Sequence, residues 1–290
     1  MSDWGSTWLI ASHGIWQSTD GADWERTGAF GYPVKAVLRQ PHRLVVGAMW
    51  GLFEVVPGNA RFTQLHDETL TEILALAPTS GDPGIVAASP YGISWGERGK
   101  LGATRWKSRS DPLSINERFT NTLLADPTHP GRFLVGTEAG ALVYGEEDDR
   151  WERTSLTGAP CRALLHTGGR FWAGSDDRGV WHSADGLSWS QAGNGLETSA
   201  VFALATAGPD RLLAGTLEGV WVGDGRGTWR RLGPRTLVSA LASHPRDHDL
   251  WLAGARPGGL WISEDAGDSW RQNRNFDSVR AILPPEESTA

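Results

Sequence analysis

The sequence has 290 residues, of which 39% are hydrophobic and 21% charged, so it can bury a core and is not intrinsically disordered. Its net charge of -7 disfavours nucleic acid and anionic membrane surfaces as partners. No apolar run approaches the length of a membrane span, and the start lacks the basic and apolar stretches of a signal peptide, so we expect a cytoplasmic protein.

Short apolar segments separated by turn residues follow one another along the whole chain, which predicts an all-β fold. A glycine followed by an apolar pair recurs at spacings of 37, 41, 48, 39, 40 and 40 residues. These intervals are close to the roughly 40 to 45 residues of a four-stranded propeller blade. The seven repeated glycines are Gly14, Gly51, Gly92, Gly140, Gly179, Gly219 and Gly259.

Each unit contains four predicted strands, as in residues 162–165, 170–174, 179–182 and 188–191. Helical periodicity is nearly absent, and one helical turn is predicted within residues 113–118. The chain begins with the pattern of a second strand, whereas residues 278–284 have the pattern of a first strand. We therefore predict a seven-bladed β-propeller of four-stranded antiparallel blades that forms a single domain over residues 1–290. Residues 278–284 are expected to complete blade 1 and close the ring.

A recurrent turn joins the third and fourth strands. Residues 263–270 read S-x-D-x-G-x-S-W, and shorter copies occupy 18–24 and 183–189. Here an Asp carboxylate can accept backbone N–H groups, Gly can take a positive φ, and Trp begins the next strand with a large apolar surface. An aromatic residue remains at this place in the degenerate copies: Phe62, Trp106, Trp151 and Trp229.

These turns resemble the repeats of the bacterial-neuraminidase-repeat, or Asp-box, propeller superfamily, which includes sialidases, sortilin-type receptors, xyloglucanases and the photosystem II assembly factor family. Residues 125–137 are also typical of those proteins, and the resemblance covers essentially the whole chain. It implies that the Asp turns are structural and lie on the rim opposite the ligand face. Sialidase activity is not expected, because the chain lacks the F-R-I-P motif and has seven repeats where sialidases have six blades.

On the other rim, the turns between second and third strands do not repeat in sequence. This divergence favours one site on the propeller axis over a lectin with a similar pocket in every blade. The same face carries two long crossovers, at residues 65–71 and 107–120. From these loops we select as candidate ligand-binding residues His13, Trp50, His66, Tyr91 and Glu138.

A second indication of an axial site comes from aligning the innermost strands on a shared A-x-L pattern. The residues just before this pattern are Lys35, Glu72, Asn121, Arg162, Phe202, Ser239 and Arg280. They are expected to form a ring at the mouth of the central channel. Cations around one carboxylate can bind an anion and position an acid or base, so Glu72, Arg162 and Arg280 are the candidate catalytic residues. The other four ring residues are candidate ligand-binding residues; alternatively, the polar residues simply pair with one another in a water-filled channel.

Three other features are given less weight. Cys161 is expected to be an inert thiol, although it adjoins Arg162. Residues 66–68, His-Asp-Glu, offer a base with two carboxylates or only a solvated acidic loop. We predict no cofactor and no bound metal, since the only group that resembles a set of ligands falls on the opposite rim: His244, Asp247, His248 and Asp249.

Two functions remain open. The first is a single axial site for a small polar or anionic molecule, with or without catalysis of a lyase, cyclase or hydrolase type. The second is a protein-binding or assembly scaffold similar to the photosystem II assembly factor family. For that function, a patch of ligand-face arginines is available: Arg109, Arg118, Arg162, Arg235 and Arg280.

Overall fold

The computed structural model describes residues 4–28, 30–59, 61–98, 103–193, 195–224 and 227–286. Over these ranges, seven antiparallel sheets of four strands each form a seven-bladed β-propeller, as predicted. One short helix, α1, spans Ile115–Arg118. Among the described residues, no helix combines the length and apolar character needed to cross a membrane.

The strands of blades 1 to 4 are β1 (Trp8–Ser12), β2 (Gly14–Ser18), β3 (Glu25–Arg26), β4 (Val34–Gln40), β5 (Arg43–Ala48), β6 (Gly51–Val55), β7 (Thr63–Gln64), β8 (Ala75–Pro78), β9 (Ile85–Ser89), β10 (Gly92–Arg98), β11 (Thr104–Ser108), β12 (Thr120–Ala125), β13 (Arg132–Thr137), β14 (Gly140–Gly145) and β15 (Arg150–Thr157). Blades 5 to 7 follow with β16 (Cys161–Thr167), β17 (Arg170–Ser175), β18 (Gly179–Ser183), β19 (Ser190–Gln191), β20 (Val201–Thr206), β21 (Leu212–Thr216), β22 (Gly219–Gly223), β23 (Trp229–Arg231), β24 (Val238–Ser243), β25 (Trp251–Ala255), β26 (Gly259–Ser263) and β27 (Arg271–Asn273). The last strand, β28 (Ala281–Leu283), returns to blade 1.

The ring is closed by the C-terminal strand. β28 pairs antiparallel with β1, so that Leu283 lies opposite Leu9 and Ala281 opposite Ala11. It also contacts the innermost strands of both neighbouring blades, β4 and β24. Blade 1 therefore has four strands like the other blades, and the inner edge of β1 is paired.

The core lies between neighbouring blades, where glycines of the second strands accept apolar side chains of the next blade. A Cβ on Gly174 would lie 2.7 Å from Val201 Cγ1, and one on Gly254 would lie 2.8 Å from Val279 Cγ1. Both valines are fully buried. Glycine is needed here because a methyl group would overlap the neighbouring blade.

The turns that contain the Asp motif are closed by their own hydrogen bonds. Asp185 Oδ1 accepts the backbone N–H groups of Leu187 and Ser188, both at 2.8 Å. Trp189 Nε1 donates to the Gly186 carbonyl at 3.0 Å. The turn at 18–24 repeats this arrangement, whereas in the turn at 263–270 Asp265 accepts the backbone N–H and the hydroxyl of Ser269. The carboxylates thus satisfy backbone donors on the rim formed by the turns between third and fourth strands.

Candidate functional site

The predicted ring residues lie at one repeated irregularity of the innermost strands. In five blades the pairing register shifts at this residue: Lys35, Asn121, Arg162, Phe202 and Ser239. A β-bulge leaves its extra residue outside the pairing ladder, which allows the side chain to turn out of the sheet. Each of these blades consequently presents one side chain at the same level of the axis.

Together these side chains enclose a cavity of about 480 Å³ at the axis. That volume is within the usual range of small-molecule sites. Six of the seven predicted ring residues line it, and three residues that were not in the ring prediction join them. The lining is Lys35, Leu74, Phe119, Asn121, Arg162, Phe202, Ser239, Arg256 and Arg280.

In blade 3 the ring position belongs to Leu74, two residues after the aligned Glu72. Ala75 pairs with Ala88 as Ala36 pairs with Gly47, which places Leu74 in register with Lys35. Packing gives the same register, since Ile73 fills the space over Gly47 as Val201 does over Gly174. Glu72 is nevertheless drawn into the site, because its carboxylate forms an ion pair with the Lys35 ammonium group.

Arg162 is held in a network of its own. Its guanidinium binds Asp176 Oδ2 at 2.7 Å, Glu138 Oε1 at 2.7 Å and Asn121 Oδ1 at 2.8 Å. Two carboxylates thus accept hydrogen bonds from one cation, and the bonds that the guanidinium donates hold the Arg162 side chain in place. The predicted binding residue Glu138 therefore contacts Arg162 rather than standing free in the cavity.

Arg256 and Arg280 differ from Arg162, since neither side chain forms a hydrogen bond or ion pair with any described residue. Arg256 comes from the turn between β25 and β26, and Arg280 immediately precedes β28. The pKa of Arg256 is lowered, first because protein atoms partly replace its water and second because the Arg280 charge repels its own. Two guanidinium groups without a counter-charge among the described residues therefore line one side of the cavity.

The charge balance of the site follows from these contacts. The wall carries four cationic side chains, and three carboxylates bind two of them: Glu72 binds Lys35, whereas Glu138 and Asp176 bind Arg162. The site is therefore net positive within a chain whose net charge is -7. In addition, three buried polar atoms near the ring find no partner among the described residues: Asn121 Nδ2, Asp176 Oδ1 and Ser239 Oγ.

The remaining predicted residues lie around the cavity rather than in its wall. Trp50 and Tyr91 occupy turns on the same face and are 64% and 71% exposed. His13 is exposed between β1 and β2. His66 lies in the crossover after β7, and its Nδ1 is 3.1 Å from the Leu52 backbone nitrogen and 3.0 Å from the Leu52 carbonyl oxygen. Asp67, beside it, accepts the Trp106 backbone N–H and so anchors the loop.

Cys161 is fully buried beneath the ring, and burial raises the pKa of its thiol to about 12. The thiol is therefore protonated at neutral pH and is a poor nucleophile. His244 and Asp247 accept backbone N–H groups within the turn between β24 and β25, on the opposite rim. In the described part of the chain, no three potential ligands of the His, Cys, Asp and Glu types cluster as a metal site would require.

The proposed patch of ligand-face arginines is largely occupied by internal contacts. Arg109 binds Asp149 at 3.2 Å and stacks on the Trp95 ring, with its guanidinium carbon 5.5 Å from the ring centroid. Arg118 donates to the carbonyls of Leu113 and Asp111. Arg235 is exposed and lies outside the cavity wall.

Arg256, Asp176 and Phe119 were missed as site residues. The first two belong to turns already noted for their divergent sequences, but nothing in those sequences indicates which side chain points to the axis. Phe119 lies at the end of the loop that contains α1. Only the path of that loop brings its side chain to the cavity, and the sequence does not show this path.

The fold and the cavity define a seven-bladed β-propeller with a polar, net-positive chamber at one end of its axis. No protein-family model matches the sequence, and no curated protein matches it.

The extracellular domain assigned to the hybrid two component system BT4673 of B. thetaiotaomicron superposes with a TM-score of 0.73 at 14% identity, over 91% of this chain and 37% of that one. The GH74 xyloglucanase of Xanthomonas campestris gives 0.63 at 16% identity, over 91% of this chain and 46% of that enzyme. The propeller domain of Cps50 (Swd1) from Myceliophteria thermophila gives 0.64 at 12% identity, over 87% and 90% of the two chains. The chain thus spans well under two thirds of the first of these proteins, and at such identities the likeness shows the fold alone.

Proposed function

We propose that this propeller binds the anionic group of a ligand in its axial cavity, through Arg256 and Arg280, and that it acts by binding rather than by catalysis. The observation that carries the proposal is that these two guanidinium groups share one cavity wall without a described counter-charge. Unpaired cations that face each other repel, so an anion between them gains charge-assisted hydrogen bonds and relieves that repulsion.

Binding is favoured over catalysis because of how the acidic groups are used. Glu72, Glu138 and Asp176 each form an ion pair with a cation of the wall. A general base must be free to take a proton from the ligand, whereas each of these carboxylates is engaged by a cation of the wall. The adjoining thiol of Cys161 is buried and protonated.

The proposal is tested by calorimetric titration with a panel of phosphate, sulfate, citrate and glutarate. At least one anion should bind the wild-type protein, and Arg256→Gln with Arg280→Gln should weaken that anion by roughly 10- to 100-fold, the usual effect of losing charged hydrogen bonds. Arg150→Gln with Arg230→Gln removes the same charge from exposed positions outside the wall and serves as the matched control. Absence of binding by every anion, or equal weakening by both double variants, would refute an anion site on the axis.

A further inference from the structure

Exposed apolar side chains concentrate on the face that carries the cavity. Of the eight large hydrophobic residues that are exposed in the described ranges, seven lie in turns or crossovers of this face, one of them in α1, and Val56 lies on the opposite rim. Six of the seven belong to blades 2 to 4 or to the crossovers that enter them. These six form what we call the apolar arc: Tyr32, Met49, Trp50, Tyr91, Ile115 and Phe119.

The arc is unusual for a monomer surface because of the size and exposure of its members. Tyr91 is 71% exposed, Trp50 64% and Ile115 83%. Single exposed apolar residues are ordinary, but several on one sector of one face mark a surface that meets another molecule. Large aromatic residues are also the side chains that contribute most at protein interfaces.

The arc is continuous with the cavity through Phe119. Its ring lines the axial chamber, and the residue is itself 37% exposed. One helical turn earlier stands Ile115, whose carbonyl accepts the Phe119 backbone N–H at 3.3 Å. A ligand with its charged end at the axis would therefore extend over α1 towards the turns of blades 3 and 2.

We propose that the arc is the docking surface for a segment of another protein, which lays apolar side chains on the arc and inserts an acidic side chain into the axial cavity. This inference rests on the proposed anion site and names its ligand class. The segment's acidic group complements the net-positive chamber, and its apolar part complements the adjoining arc.

The composition of the arc favours a protein segment over a glycan or a second copy of the chain. Sugars stack on aromatic rings, but their hydroxyl groups lose hydrogen bonds against aliphatic surface, and Met49 and Ile115 supply such surface. A second copy would bring another net charge of -7 against this molecule, which opposes self-association.

The test begins with a random dodecapeptide library displayed on phage, selected on the immobilised wild-type protein at low ionic strength. Enriched sequences should place Asp or Glu within a few residues of Trp, Phe or Leu. Synthetic copies of these peptides are then titrated by fluorescence anisotropy. Trp50→Ser with Tyr91→Ser should weaken binding at least about tenfold, as expected for interface aromatic residues. Val56→Ser, an exposed apolar residue of the opposite rim, should leave the affinity unchanged.

The two double variants distinguish failure of the arc from failure of the anion site. If Arg256→Gln with Arg280→Gln weakens the peptide but the arc variant does not, the docking surface is refuted and the anion site stands. If only the arc variant weakens it, the anion site is refuted. If the selection enriches no peptide that combines acidic and apolar residues, the proposal is overturned. The proposal is also overturned if acidic oligogalacturonides bind and their binding depends on Trp50, because the surface would then belong to a glycan.

Discussion

The two rims of this propeller are built from the same repeat but treat their polar groups in opposite ways. On the rim of the Asp turns, a carboxylate such as Asp185 is bonded to donors of its own turn. On the cavity face the turns differ from blade to blade, two arginines lack a described partner, and large apolar side chains meet solvent. Local hydrogen bonds are therefore closed on the rim of the Asp turns, whereas the cavity face keeps polar and apolar groups without described partners, and this is the face on which we propose that a ligand binds.

The same contrast between bonded and unbonded polar groups is found within the ring, at Arg162 and Arg280. Both precede the A-x-L pattern of an innermost strand and both line the cavity. Arg162 is held by Glu138 and Asp176, whereas Arg280 is bound by neither. Equivalent positions with the same residue type thus separate into an arginine held by ion pairs and one without a described partner, to which we assign the ligand under the proposed function.

The largest expected effect comes from opening the ring. Ending the chain after Asn275 removes β28 and the buried Phe276 and Val279. Burial of each large apolar side chain is worth about 1.5–3 kcal/mol, so the loss approaches the whole stability of a domain. The shortened protein should melt more than about 10 °C lower in calorimetry or lose its cooperative transition. An equal melting temperature would show that closure contributes nothing.

The two arginines should then differ in stability. Arg162→Gln leaves Glu138 and Asp176 facing each other without their cation and should cost about 1–3 kcal/mol, reduced from a fully buried pair by partial exposure. Arg280→Gln should change the free energy of unfolding by less than about 0.5 kcal/mol, since no described ion pair is lost. Urea denaturation measures both, and equal costs would remove the distinction.

On the opposite rim, two carboxylates of one turn provide a smaller and more local comparison. Asp20→Ala removes the acceptor of the Ala22 and Asp23 backbone N–H groups and should cost about 1–2 kcal/mol. Asp23→Ala in the same turn should be nearly neutral, because no hydrogen bond of its side chain is described. A thermal melt in which the two variants coincide would contradict the structural role of the Asp motif.

The smallest effect is expected in the acid dependence of stability. Backbone N–H groups of Ser188 and Leu187 lower the pKa of Asp185 to about 2 in the folded protein. The carboxylate is therefore stabilising above its unfolded pKa of about 3.9, and this contribution is lost as the pH falls through the folded pKa. Asp185→Asn should flatten the stability profile slightly between about pH 4 and pH 2. A profile parallel to the wild type would exclude this linkage.

The repeat in the sequence was sufficient to predict the blades, their number and the closing strand, because glycines and apolar pairs recur with the period of the fold. In blade 3 the sequence alignment places the ring residue two positions too early, because residues 72–76 read Glu-Ile-Leu-Ala-Leu and allow two alignments. The decisive signal was the apolar residue before the ring position, which packs on a glycine of the preceding blade. Ile73 satisfies that requirement and therefore assigns Leu74 to the ring.

The cavity itself was harder to predict than the ring. Arg256 enters from a turn of three residues, and only the conformation of that turn aims its side chain at the axis. Likewise, a sequence does not show which cations are already neutralised. The sequence predicts the same role for Arg162 and Arg280, because their difference lies in the carboxylates that neighbouring turns supply.

The bulges of the innermost strands have a consequence for how such a protein can change over evolutionary time. A residue outside the pairing ladder contributes little to the sheet, so positions such as Phe202 and Ser239 can be exchanged one at a time while the blades remain intact. The chamber is thereby a set of separately variable positions mounted on a constant frame. A chamber of different shape and charge would require a few substitutions at the bulges, with no redesign of the core beneath them.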